Sequence, residues 1–164
     1  MTAGIPLAAK PQNVIDSLIS IKENILADIP EDYLLFLQDM FPYLEKYLVT
    51  DYLPKLVDRI EYVMKQDTRS YCDRTLLLDY KAELFLIKNE YKNALKKRLK
   101  AVSILEPYHT EEADQRTANL LSNLYNNLSN TYLLMKKTKE AAEPYQYADP
   151  LQKYRYGKTG PFHL

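Results

Sequence analysis

Between residue 5 and residue 156 the chain contains no glycine; its three glycines are Gly4, Gly157 and Gly160. Loops that cradle phosphate need glycine so that backbone N–H groups can approach the ligand, and the first turn of a dinucleotide fold needs it too. Neither loop can be built across this stretch. Tight β-hairpins also depend on glycine, so the chain is expected to be helices joined by short turns. With 164 residues it is long enough for one domain or one stretch of a repeat array. The 22 basic residues balance 22 acidic ones, so no global field draws in nucleic acid or anionic lipid, and neither is expected as a partner.

Hydrophobic spacing yields seven helices. Val14, Leu18, Ile21 and Ile25 recur at 4, 3 and 4, with Ile15, Ile19 and Leu26 widening the face. Leu34, Leu37, Phe41, Leu44 and Leu48 form a second stripe, in which Pro42 is expected to kink or split the helix. Thr50 and Asp51 supply capping chemistry before a third stripe, Leu53, Leu56, Val57, Ile60, Val63 and Met64. After a polar break, Ser70-x-x-Asp73 resembles a capping box and opens a helix over 70–88 with Leu77, Tyr80, Leu84, Ile87 and Tyr91 as its stripe. A fifth helix over 91–105 carries Ala94, Leu95, Ala101, Val102 and Leu105 and is stopped by Pro107. Thr110 is placed as the cap of the sixth, with Glu111, Glu112 and Asp114 in its first turn, complementary to the helix dipole. That helix runs to about Met135 with Leu121, Leu124, Tyr125, Leu128 and Tyr132 on one side, and a seventh spans about 138–155. Pro144 is expected to bend the seventh.

Shifted by 47 residues, the fourth and fifth helices align with the sixth and seventh: Leu77 on Leu124, Phe85 on Tyr132, Ala94 on Ala141, Ala101 on Ala148. Alanines seven apart let a neighbouring backbone approach, and the aromatic fills the remaining gap. Leu124-Tyr-Asn-Asn-Leu-Ser-Asn-Thr-Tyr132 followed by Lys139-Glu-Ala-Ala-Glu-Pro-Tyr-Gln-Tyr-Ala148 resembles a tetratricopeptide repeat. The likeness is to the long-helix variety of kinesin light chains and of bacterial signalling ATPases and regulators. Leu128, Ser129 and Tyr132 match its first helix; Ala141, Tyr145 and Ala148 match its second. In the preceding unit Ala82, Phe85, Tyr91, Ala94 and Ala101 match, but Arg98 stands where an aromatic is usual.

The resemblance implies an all-α, right-handed helical-repeat array of about seven antiparallel helices; a HEAT-like solenoid is the competing fold. The expected organisation is a flexible lead-in over residues 1–10, an N-terminal helix and atypical helix pair over 11–69, two repeats over 70–107 and 108–156, and a tail or the start of a truncated next repeat over 157–164. Residues 43–66 look like the lead-in helices before such repeats in large signalling ATPases. The expected role is a non-enzymatic protein- or peptide-binding module, a fragment of a larger cytoplasmic regulator. The alternative is an architectural or self-association array without a peptide ligand.

No catalytic or metal-binding spacing stands out, and no cofactor is expected. Cys72, the only cysteine, reads as a packing residue, His109 as a solvated turn residue, and His163 lies in the tail. No run approaches the roughly 18 apolar residues of a membrane span, and the N-terminus lacks the basic region of a signal peptide; the cytoplasm is the expected compartment. Fifteen tyrosines suit half-buried helix seams. Lys88, Lys92, Lys96 and Lys100, with Lys97 and Arg98 nearby, form a basic row that reads as a solvated outer face or a docking site for an acidic partner.

The binding surface is expected on the sixth helix. Asn123, Asn126 and Asn130 share one face, with Asn127 beside them, and asparagine is a mediocre helix former, so propensity does not explain the row. An amide both donates and accepts, as an extended peptide backbone requires. In the tetratricopeptide family the first helices line the concave groove. At the 47-residue offset Asn126 and Asn130 fall on Asp79 and Glu83, which would make the groove acidic and favour a peptide bearing Lys or Arg. The last helix is expected to expose Tyr147, Leu151 and Tyr154 and to support a homodimer through that edge.

Overall fold

A computed structural model describes residues 11–66, 70–110 and 112–148, and every regular element among them is helical. The α-helices are α1 (Pro11–Ile25), α2 (Pro30–Lys46), α3 (Leu53–Gln66), α4 (Tyr71–Ile87), α5 (Tyr91–Leu105), α6 (Gln115–Leu134) and α7 (Thr138–Ala148). Short 3₁₀ turns, Thr50–Tyr52 and Glu106–Tyr108, lead into α3 and out of α5. The chain divides into two compact units, Met1–Thr68 and Arg69–Leu164.

In the first unit α2 and α3 pack together around Leu37, Phe41, Leu53, Leu56 and Ile60, all essentially without solvent exposure. The helix α1 meets this pair with Ile15 and Ile19, not with its more regular stripe: Val14, Leu18, Ile21 and Ile25 are 59%, 41%, 54% and 66% exposed. Polar contacts accompany that rotation. Tyr52 donates to Asp16 at 2.6 Å, and Arg59 pairs with Glu23 while its Nε donates to the Tyr33 hydroxyl at 3.1 Å. Pro42 leaves α2 unbroken; it removes one backbone donor without ending the helix. Thr50 lies in the 3₁₀ turn instead of capping α3 directly.

In the second unit α4 packs on α5, α5 on α6 and α6 on α7, and α4 also touches α6. The core joins Cys72, Ala101, Val102, Leu105, Leu120, Leu121, Leu124, Tyr125 and Leu128. Buried Ala94, Ala101 and Ala141 let helix backbones come close. Two serines of α6 bond the α7 backbone: Ser129 Oγ donates to the Ala141 carbonyl at 2.8 Å, and Ser122 Oγ donates to that of Ala148. Pro144 is buried inside an unbroken α7.

Helix ends reveal how the chain turns without glycine. After α2, α4 and α6 the backbone enters the left-handed region at Leu48 (φ 59°), Asn89 (φ 59°) and Lys136 (φ 60°). Each is the centre of a Schellman motif. Asn89 N–H donates to Leu86 O and Glu90 N–H to Phe85 O, both at 2.9 Å; Lys136 donates to Leu133 O at 2.9 Å and Lys137 to Tyr132 O at 2.8 Å. Leu48 to Glu45 O (3.1 Å) and Val49 to Leu44 O (2.9 Å) repeat the pattern. The α4 and α6 motifs are 136 − 89 = 47 residues apart, the same offset that aligns their sequences.

At the helix starts, Ser70 caps α4 by accepting from Asp73 N–H at 3.1 Å while its hydroxyl donates to the Asp73 carboxylate at 2.8 Å. The sixth helix starts later than expected. Its cap is Asp114, whose carboxylate accepts from Thr117 N–H at 2.7 Å; Thr110 lies outside the helix, as does Glu112. Glu111 falls outside the described residues.

Candidate functional site

The residues singled out on α4 and α6 divide into an interior cluster and an exposed row. The interior cluster is organised by Arg98 of α5, whose side chain is 1% exposed. It sits between Ala94 and Ala101, on the face of α5 that the core covers, so its guanidinium must find its partners inside the protein. Arg98 Nε donates to Asp79 Oδ1 at 3.0 Å, Nη2 pairs with Glu83, and Nη1 donates to Thr131 Oγ1 at 2.7 Å and to the Asn127 carbonyl at 3.4 Å. Asn127 Nδ2 donates to the second oxygen of Asp79 at 3.0 Å, and Thr131 Oγ1 donates back to the Asn127 carbonyl at 2.8 Å. Three helices are thereby joined through one guanidinium.

The charges do not balance within the cluster, because one cation serves two carboxylates. Burial, opposed by Arg98 and reinforced by Glu83, holds the Asp79 carboxyl above its usual range. Both carboxylates are held in ion pairs with Arg98, and Asp79 is buried among helices. The arrangement positions α4, α5 and α6 relative to one another.

Asp79 and Glu83 therefore do not form the acidic wall of a groove. Asp79 is buried and Glu83 is half-buried, both turned toward Arg98. Their expected neighbours across the helices, Asn126 and Asn130, are exposed elsewhere on α6, and it is Asn127 that reaches Asp79. Spacing alone does not define the inward face of α4. Its apolar residues are spread around the helix, and Cys72, Thr75, Asp79, Tyr80 and Ala82 are buried while Ile87 is 49% exposed. The sequence did carry one signal for the cluster: an arginine replacing an aromatic at an inward position needs buried acceptors, and Asp79 and Glu83 are acids one turn apart on the neighbouring helix.

The exposed row is Asn123, Asn126 and Asn130. They share the side of α6 opposite Leu121, Leu124 and Leu128, and no hydrogen bond to another described residue occupies their amides. At the start of the helix, Asn119 accepts from Gln115 at 2.7 Å. Along the α4 flank, Arg116 pairs with Asp73 at 3.1 Å and the Tyr71 hydroxyl meets Thr117 Oγ1 at 3.3 Å. Cys72 is buried with its sulfur 3.8 Å from the same Thr117 oxygen.

The basic row also resolves into two parts. Arg98 faces inward, whereas Lys88, Lys92, Lys96 and Lys100 are exposed. At the last helix, Tyr147 is half-buried with its ring 5.8 Å from that of Tyr125, and Tyr145 is 67% exposed. Leu151 and Tyr154 lie outside the described residues. Among the described residues no group of His, Cys, Asp and Glu is arranged to hold a metal ion, and no helix is long and apolar enough to cross a membrane. Protein-family models, curated proteins and solved structures gave no match to this chain.

Proposed function

We propose that the chain is a non-enzymatic protein-binding module, a right-handed helical-repeat array of the tetratricopeptide type within a larger cytoplasmic regulator. It receives an extended peptide along the exposed asparagine face of α6. The observation that carries this reading is the row Asn123, Asn126 and Asn130: amides open to solvent, without protein partners, at positions where helix propensity alone favours other residues. Support for stacked repeats comes from the matching Schellman motifs 47 residues apart, and from α7, which among the described residues packs on α6 without a substantial contact to α4, unlike the ring of a closed four-helix bundle. Because Arg98 engages Asp79 and Glu83, the bound segment is selected through its backbone more than through basic side chains.

Calorimetry with peptides selected from a library tests this. Asn126→Ala with Asn130→Ala should weaken binding while leaving the helical signal intact, and unchanged affinity would remove the α6 face from consideration. A self-association role is the second reading, favoured by the exposed aliphatic stripe Val14, Leu18, Ile21 and Ile25 on α1. Sedimentation showing a concentration-dependent dimer that Leu18→Glu abolishes would favour it.

A further inference from the structure

The helix α5 contains no acidic residue between Tyr91 and Leu105 but carries Lys92, Lys96, Lys97, Arg98 and Lys100. Arg98 is neutralised inside the protein. Among the described residues none of the four lysines has an ion pair, a state they share with most lysines of the chain, so the distinguishing feature is their alignment along one side of α5. Lys92, Lys96 and Lys100 follow one another at i, i+4 spacing, are exposed, and span about 12 Å along the helix. They lie opposite Ala94, Arg98, Ala101 and Leu105, the buried side of α5. Leu99, 43% exposed, sits among them.

This charge pattern works against the helix that bears it. Like charges at i, i+4 repel. Lys92 adds a positive charge to the first turn, where the helix dipole favours an acid, while the last turn, where a base would help, has none. Lysine's helix propensity favours these positions, but the repulsion and the dipole work against them, and a counter-charge supplied from outside would relieve both.

We propose that the outer row of α5, Lys92, Lys96 and Lys100 around Leu99, docks an acidic amphipathic helix of a partner protein. A helix with Glu or Asp at i, i+4 has the same repeat and can set one apolar side chain against Leu99. Phosphate polymers fit less well: the one arginine of α5, the side chain suited to bidentate phosphate contacts, is turned inward, and no aromatic lies in the row for base stacking. A membrane surface fits less well, since a single leucine offers little to insert. This surface is distinct from the asparagine face of α6 and does not depend on it.

The test uses the full chain and a designed helical peptide with three Glu at i, i+4 and one Leu on the same face. A scrambled peptide of equal composition, phosphatidylserine-containing vesicles and a single-stranded RNA serve as alternatives. Fluorescence anisotropy should show binding of the designed peptide that weakens with salt and falls about tenfold or more in the Lys92→Glu, Lys96→Glu, Lys100→Glu variant. The Asn126→Ala, Asn130→Ala variant should bind it like the parent, which separates this surface from the α6 face. Lys→Gln at the three positions replaces Lys→Glu if the latter disturbs the circular dichroism spectrum. The proposal is overturned if the parent does not bind the peptide, if folded lysine variants bind it equally well, or if the scrambled peptide, vesicles or RNA bind as tightly.

Discussion

Arg98 and Asp79 meet at 3.0 Å in the interior of the second unit, nineteen residues apart in sequence, with Glu83 on the same guanidinium and Asn127 on the far oxygen of the aspartate. The contact turns a polar requirement into a constraint on three helices. A guanidinium buried this deeply favours the arrangement of α4, α5 and α6 that supplies acceptors for its N–H groups.

Removing one partner of this pair leaves the other charge buried and unmatched. Arg98→Ala is expected to destabilise the second unit by about 3–5 kcal/mol, a large share of a typical domain's stability. Urea unfolding followed by circular dichroism reads the effect. Joint replacement of Arg98, Asp79 and Glu83 by apolar residues of similar volume should cost much less, because no orphaned charge remains. A loss under 1 kcal/mol for Arg98→Ala would mean that the cluster is hydrated.

The raised Asp79 carboxyl has a defined consequence for pH. The folded state keeps the proton to higher pH than the unfolded chain, whose carboxyl titrates near the ordinary 3.8. The contribution from this group is therefore fully present below 3.8 and is lost as pH rises through the higher folded value. Asp79→Asn should remove that slope, so the stability difference between parent and variant changes across this interval and is flat above it. Denaturant midpoints measured in steps of pH check the direction.

The three left-handed helix ends offer stabilising substitutions. A side chain at φ near 60° carries strain that glycine avoids, so Leu48→Gly and Lys136→Gly should each stabilise by about 1 kcal/mol. In a chain of this size that raises the thermal midpoint by about 2–4 °C. Asn89→Gly should gain less, since asparagine tolerates this conformation. A fall in midpoint for Lys136→Gly would contradict the assigned geometry.

At the start of α6, Asp114→Ala should lower the thermal midpoint and Thr110→Ala should not, because Asp114 is the residue that accepts from Thr117 N–H. That hydrogen bond favours the ionised form and depresses the Asp114 carboxyl. Its stabilising effect is present above the unfolded value and disappears as pH falls through the folded one. The two variants should converge at low pH.

Much of the helical layout was legible in the chain because it follows from local rules. The glycine-free interior, the prolines at helix starts and the capping serine restrict each segment by its own sterics and hydrogen bonds, and α2, α3 and α5 begin and end within a few residues of their expected positions. Val57, Ile60 and Leu56 face inward as their spacing requires, since α3 has one apolar side only. The 47-residue offset reappears at the ends of α4 and α6, where identical backbone turns are built from Asn89 and Lys136.

Tertiary structure decided what periodicity left ambiguous. On α1, the regular spacing pointed to Val14, Leu18, Ile21 and Ile25, with Ile15 and Ile19 only widening the face, but it is Ile15 and Ile19 that lie in the core, with Asp16 and Glu23 bonded to Tyr52 and Arg59. On α4, apolar residues on several sides left the inward face undefined until Arg98 arrived from α5 and drew Asp79 and Glu83 toward it. A helix records its own period, but the depth at which each side chain lies depends on the helix packed against it. Local backbone energetics made most helical segments readable, though not every end: α6 is capped at Asp114 and not at Thr110, and Thr50 lies in the turn before α3. Which carboxylates were buried and which amides were left to solvent was settled only when the buried guanidinium had to be satisfied across three of those helices.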